Sequence, residues 1–194
     1  MQAKPFPTLI LLAAGSGTRF RASGGCTHKL DALLCDVPVL ERTLQAVQQS
    51  GLPWHLVRQG EGGAGMGDSI AAGVRATSTA HGWLIIPADL PLVRPATLVR
   101  VAQALIEAPA EVDVIAPFFN GQQGHPVAFA AHCHAALMAL NGDRGASAIV
   151  REARTQGHLR ELVVDDEGII TDIDTMDDLA RAQALLLRAR QAGY

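Results

Sequence analysis

Apolar positions along this chain fall into short unbroken runs separated by stretches of helical spacing. The run "TLILLAA" at 8–14 predicts a buried strand, too short to show a period of its own. In "DVPVLERTLQAVQQSG", Leu40, Leu44 and Val47 share one helical face, with Pro38 near the start and Gly51 after the end, which predicts a helix. A strand is expected at 54–58, a glycine-rich loop at 60–65, a helix over 68–77 and a strand at 83–89.

Further on, a helix opens at Pro95, "VDVIAPFF" reads as a strand, and "GQQGHPVAFAA" as a turn and another strand. "HCHAALMAL" and "GASAIVREART" are expected to be helical, while "LRELVVDD" and "GIITDI" read as strands meeting at a turn. "TMDDLARAQALLLRAR" closes the chain as a helix, with Thr175 and Asp178 placed to form a capping box. Strand and helix alternate without repeats or linkers. That predicts an α/β fold, one domain over 1–194, built as a Rossmann-like three-layer sandwich around a mainly parallel sheet. Ligands of such sheets bind beyond the carboxyl ends of the strands, so the loops after Ala14, Arg58, Ile86, Phe119 and Ile173 are the ones expected to carry chemistry.

Composition narrows the classes. With 48% hydrophobic and 18% charged residues in 194, the chain can bury a sizeable core. A net charge of -3, and no window of basic residues interleaved with aromatics, point away from nucleic acid. No uncharged apolar stretch approaches the roughly 18 residues of a bilayer span, and "MQAKPFPTLILLAAG" lacks the basic start and cleavage pattern of a signal peptide. A cytoplasmic protein without a membrane partner is expected. Cys26, Cys35 and Cys133 form no Cys-x-x-Cys pair, so neither a disulfide framework nor a structural zinc site is predicted. "HCH" at 132–134 offers zinc or copper ligands, but adjacent helical residues point apart, and a plain helix start is expected there.

The loop after the first strand, "GSGTRF", fits neither common phosphate template. A dinucleotide fingerprint needs a small residue where Phe20 stands and a helix opening inside the motif, whereas "RFRASGGCTHK" reads as continued loop. A P-loop needs Gly-Lys-Ser or Gly-Lys-Thr, which the chain lacks. What remains is a glycine loop whose amides can line up as an anion nest, with Arg19 and Lys29 adding positive charge, an arrangement suited to a triphosphate.

"LAAGSGTRF" followed by "KL" resembles the opening signature of the nucleotidyltransferase superfamily. "GMGDSIAAGV", "IIPADLPLV", "GHPVAF", "GDRGA" and "DIDTMDDL" follow in order, and the whole set, spanning residues 9 to 179, is similar to the molybdenum cofactor cytidylyltransferases. Guanylyltransferases of that group usually read Leu-Ala-Gly-Gly where this chain has Leu12, Ala13, Ala14 and Gly15. Two departures stand out: the stretch between Arg19 and Lys29 is longer than usual by about three residues, and His28 replaces the common proline before the lysine.

The resemblance implies transfer of CMP from CTP to the phosphate of molybdopterin with release of pyrophosphate, and Mg2+ as cofactor. It assigns Arg19, Lys29 and Asp89 to catalysis, and Asp89 with Asp174 to the metal, which suits magnesium's preference for carboxylate and phosphate oxygens. Nucleotide contacts fall on Leu12, Ala13, Ala14, Gly15, Gly17, Arg19, Lys29, Gly65, Asp68, Ser69 and Asp89, and acceptor contacts on His125, Pro126, Asp143 and Gly145. Asp89, Asp174 and Asp68 can equally be helix or turn caps, and His125 and Asp143 ordinary turn residues. GTP as donor, another phosphorylated acceptor, or a carrier that hands the cofactor to a molybdoenzyme unmodified stay open as alternatives.

Overall fold

The computed structural model describes residues 5–63 and 65–191. In chain order its strands are β1 (Thr8–Ala13), the two-residue pair β2 (Leu33–Leu34) and β3 (Val37–Pro38), β4 (Trp54–Arg58), β5 (Gly82–Pro87), β6 (Val114–Phe119), β7 (Gln122–Gln123), β8 (Val127–Ala130) and β9 (Leu159–Val163). Its helices are α1 (Thr18–Ala22), α2 (Val39–Gln49), α3 (Met66–Ala76), α4 (Pro95–Glu107), α5 (His134–Met138), α6 (Ser147–Gln156) and α7 (Met176–Gln191). Among the described residues no helix is long and apolar enough to cross a membrane.

Alternation along the strands splits the core in two. Leu9 and Leu11 of β1 and Leu84 and Ile86 of β5 point to one side, where Val39 and Val47 of α2 and Leu98 and Val101 of α4 cover them. Ile10, Trp83 and Ile85 point to the other, against Ile70 and Val74 of α3 and Leu137 of α5. The result is the three-layer α/β sandwich expected from the alternating pattern. The main sheet runs β4-β1-β5-β8-β6-β7, with β9 beside β6. β4, β1, β5, β6 and β9 share one direction, and β7 and β8 run against it.

Two local expectations are corrected. The loop after β1 does not simply continue: α1 forms inside it, because Gly17 takes a left-handed turn at φ 64 and the buried Phe20 anchors the next turn without any wider apolar stripe. "GIITDI" is not a strand either. Asp166 accepts the Gly168 N–H at 3.0 Å and folds residues Glu167–Ile170 into a 3₁₀ turn, while its other oxygen takes the Thr97 hydroxyl at 2.6 Å and the Arg94 N–H at 3.0 Å. The β2–β3 hairpin has no counterpart in the sequence pattern, being too short for a period to register. Position 64 of the second glycine loop lies outside the described residues. The capping box forms as expected, the Asp178 carboxylate accepting from the Thr175 N–H at 2.8 Å and the Asp178 N–H donating to Thr175 Oγ1 at 3.2 Å.

Candidate active site

Beyond the carboxyl ends of β1, β5 and β6 lies a cavity of about 750 Å³. Its floor is electrostatic. Lys29 Nζ donates to Asp89 Oδ2 at 2.6 Å and to Asp174 Oδ1 at 2.7 Å, and the exposed Arg19 guanidinium pairs with the remaining oxygen of Asp174. Burial works against the Lys29 ammonium, but the two carboxylates outweigh it and hold its pKa above the ordinary value. These charges come from the loop after β1, the turn after β5 and the segment before α7.

The glycine loop is braced from within. The Leu30 N–H donates to His28 Nδ1 at 3.3 Å, which leaves Nε2 as the protonated nitrogen that donates to the Gly15 carbonyl at 2.9 Å. A Cβ on Gly17 would sit 3.2 Å from that ring. So His28 holds the loop's shape, and α1 occupies the first part of the stretch that leads from Arg19 to Lys29.

Most of the residues singled out by sequence line this cavity: Leu12, Ala14, Gly15, Gly17, Arg19, Lys29 and Asp89 from the first half of the sheet, Gly65 and Ser69 at the head of α3, and His125, Asp143 and Asp174 opposite. Ala13, Asp68, Pro126 and Gly145 do not. The Asp68 carboxylate turns back to accept the Gly65 N–H at 3.1 Å and caps α3. Ser69 is buried, and its hydroxyl donates to the Gly65 carbonyl at 3.0 Å. Pro126 follows His125 through a cis peptide bond, and Gly145 packs on the Met66 sulfur.

The structure adds Asp172, which sequence reasoning passed over. It lines the same cavity, and burial pushes its carboxyl above the ordinary range, with the neighbouring Asp89, Asp174 and Asp178 adding to the rise. Its signal was the i, i+2 spacing to Asp174, which in an extended segment turns both side chains to one side. His125 is the opposite case: burial pulls its imidazole below the ordinary value, so it is neutral at pH 7. Its Nδ1 and Asp89 Oδ1 are both buried without a hydrogen-bond partner. Such atoms are costly unless a ligand satisfies them.

A second cavity of about 400 Å³ adjoins the first and shares Leu12, Met66, Pro87, Gln123 and His125 with it. Its walls are apolar, from Ile70, Ile85, Val127 and Phe129, and Arg144, Arg151 and Arg154 complete its lining. Arg144 stands in the "GDRGA" motif, but nothing in the local sequence marks Arg151 and Arg154, whose relation to β8 exists only once α6 packs on the sheet.

Comparison with known proteins places this geometry. The family profile described as MobA-like NTP transferase domain matches residues 9–159. No curated protein matches the chain. Among solved structures, Rv0371c of Mycobacterium tuberculosis is similar at 25% identity and a TM-score of 0.72, over 92% of this chain and 98% of that one, and the same protein has been solved in complex with manganese. A nucleotidyl transferase from Methanothermobacter shares the fold at 22% identity and a TM-score of 0.76, over 96% of this chain and 100% of that one. Molybdopterin-guanine dinucleotide biosynthesis protein A of Archaeoglobus fulgidus does so at 19% and 0.60, over 93% and 99%.

Proposed function

The chain belongs to the MobA-like NTP transferase family, and from that premise we propose that it transfers CMP from CTP to the phosphate of molybdopterin, releasing pyrophosphate. The observation that carries this reading is Lys29 held between Asp89 and Asp174 beneath the glycine loop, with Arg19 on the far oxygen of Asp174 completing two cations against two anions at the mouth of strands β1 and β5. An oxygen of the acceptor phosphate attacks the α-phosphorus of the triphosphate. One P–O bond forms, the bond to the bridging oxygen breaks, and pyrophosphate leaves with the electron pair. The protein has no covalent step to perform; it aligns the groups and neutralises their charge.

Arg19 and Lys29 supply that neutralisation toward the phosphates, and the amides of residues 15–17 follow the phosphate chain. Asp89 and Asp174 would hold a divalent cation, magnesium in this reading. Their hard oxygen donors fit it, and the orphaned Oδ1 of Asp89 is a ready acceptor for it. When bound, the cation draws charge from the phosphate oxygens. In this reading the base lies against Leu12, Ala14 and Ser69, which line the first cavity, and Ala14 adds a methyl where the guanylyltransferases have glycine, favouring the smaller pyrimidine. The apolar second cavity with Arg144, Arg151 and Arg154 suits a flat heterocycle carrying a phosphate, and His125, neutral and unpartnered at Nδ1, stands between the two cavities to orient it.

The test is pyrophosphate release by purified protein with magnesium, molybdopterin and each nucleoside triphosphate in turn. Release with CTP alone is expected. Release with GTP alone would assign guanylyl transfer, a reading the name of the Archaeoglobus neighbour supports. Cofactor binding with no release from any triphosphate would make the protein a carrier that delivers the cofactor to a molybdoenzyme.

A further inference from the structure

The motif "HCH" takes no part in the nucleotide cavity, and the fold gives two of its members a common partner. Asp113 stands just before β6, at the end of the strands opposite the cavity, where its carbonyl accepts the Ala130 N–H at 2.8 Å and its N–H donates to the His158 carbonyl at 2.9 Å. Its position is therefore fixed from both neighbouring strands. His132 Nε2 lies 2.5 Å from Asp113 Oδ1, and His158 Nδ1 lies 3.1 Å from Oδ2.

Residues Ala131–Cys133 form a 3₁₀ turn ahead of α5. Across this junction the three consecutive side chains part company. His134 turns inward against Trp83, with ring centroids 5.6 Å apart, while His132 and Cys133 face Asp113. The buried Cys133 thiol has only a long contact there, 3.6 Å to the Asp113 carbonyl. Donor atoms of Asp113, His132 and Cys133 all lie within 4.8 Å of one another.

We propose that Asp113, His132 and Cys133 bind a borderline divalent cation of the zinc class, with His158 positioning the Asp113 carboxylate. One oxygen, one imidazole nitrogen and one sulfur form a donor set that calcium and magnesium do not favour and that zinc does. Zinc bonds of about 2.0–2.3 Å require the donors to draw closer, and the His132 ring, 53% exposed, is free to do so. Coordination releases the thiol proton to solvent and the sulfur binds as thiolate. Three protein ligands leave a fourth position for water or an external ligand. Sequence reasoning set the motif aside because three adjacent ligands cannot converge; the fold resolves this by using two and recruiting the third from 19 residues earlier.

The experiment uses the full chain with Cys26→Ser and Cys35→Ser, freed of metal by chelation and titrated with Co2+, then with Zn2+ against a competing chelator. One equivalent of cobalt is expected to give a near-ultraviolet thiolate-to-cobalt absorption that zinc abolishes. Cys133→Ser should remove the band. His132→Ala, at a half-exposed position where folding is not at stake, should weaken zinc binding by more than about 100-fold, and His158→Ala by about 10- to 100-fold. Absence of the band, or zinc affinity unchanged in both the Cys133→Ser and His132→Ala chains, would overturn the proposal. Because the readout is sulfur absorption and zinc affinity, it stands or falls apart from the nucleotidyl reading.

Discussion

Lys29 finds its two carboxylates 60 and 145 residues further along the chain. Replacing it with methionine removes charge from the phosphates, strips Asp89 of its cationic partner and leaves Asp174 with Arg19 alone. We expect turnover to fall about 100- to 1,000-fold, and the melting temperature of the metal-free protein to drop and to recover when magnesium is added; an unchanged melting temperature would refute the electrostatic role. Since the Lys29 pKa is raised on folding, the stability it contributes is complete below the ordinary lysine value near 10.4 and is lost as pH climbs through the folded one. Asp172 has the reverse sign. Its carboxyl is raised by burial, so its penalty is absent below the ordinary value near 3.9, grows as pH rises toward the folded pKa and is complete once pH has passed it. Asp172→Asn should therefore raise the melting temperature of the ligand-free protein at pH 7 and leave it unchanged near pH 3, as differential scanning would read. Arg19, Lys29, Asp89 and Asp174 were visible in the sequence because each stands in a short motif with its own spacing. Asp172 and Arg144 also stand in such motifs but were not singled out, and Arg151 and Arg154 lie in none; what distinguishes these four is burial or a neighbour brought by folding.

Elements differ in how they declare themselves. α2, α4 and α7 are long enough for periodicity, caps and a proline to agree, and they appear where the pattern puts them. α1, the β2–β3 hairpin and the 3₁₀ turn at Glu167–Ile170 span six residues or fewer, and α1 and the 3₁₀ turn depend on one residue each, Phe20 in the core and Asp166 across the fold, which no window average detects. The head of α3 shows the same dependence on contact. A Cβ on Gly65 would run into the Gly142 backbone, and one on Gly67 would come within 2.8 Å of the Asn141 carbonyl, so α3 and the segment before α6 touch through glycine alone. Gly65→Ala should cost about 1–3 kcal/mol of stability by forcing that backbone apart, read as a lowered denaturant midpoint. Gly15 is the contrast, with nothing within 4 Å of an added Cβ in the ligand-free protein. Gly15→Ala should leave the midpoint unchanged yet raise KM for the triphosphate about tenfold, equivalent to about 1.4 kcal/mol; equal effects of both substitutions on stability would contradict the assignment of that open space to the ligand.

At the scale of the whole molecule, the family match closes at residue 159, but the fold does not. β9 pairs with β6 from Val114 to Phe118, Ile169, Ile173 and Ala182 lie in the core, and Asp166 ties α4 to the segment after β9. A chain cut after residue 159 should therefore show no cooperative thermal transition by circular dichroism, and a truncated chain melting near the full-length temperature would refute this. The two halves meet at the site itself. Ser23 Oγ accepts the Met176 N–H at 3.0 Å across 153 residues, and Arg19 pairs with Asp174 across 155. That long reach has a consequence in time. A ribosome adding about 5–20 residues per second delivers Asp174 roughly 7 to 30 s after Lys29, given their separation of 145 residues. Through that interval the lysine has no more than half of its cage, and a growing chain has no finished cradle with which to capture nucleotide. Only a chain that has already passed Asp174 offers the substrate a cradle to steady.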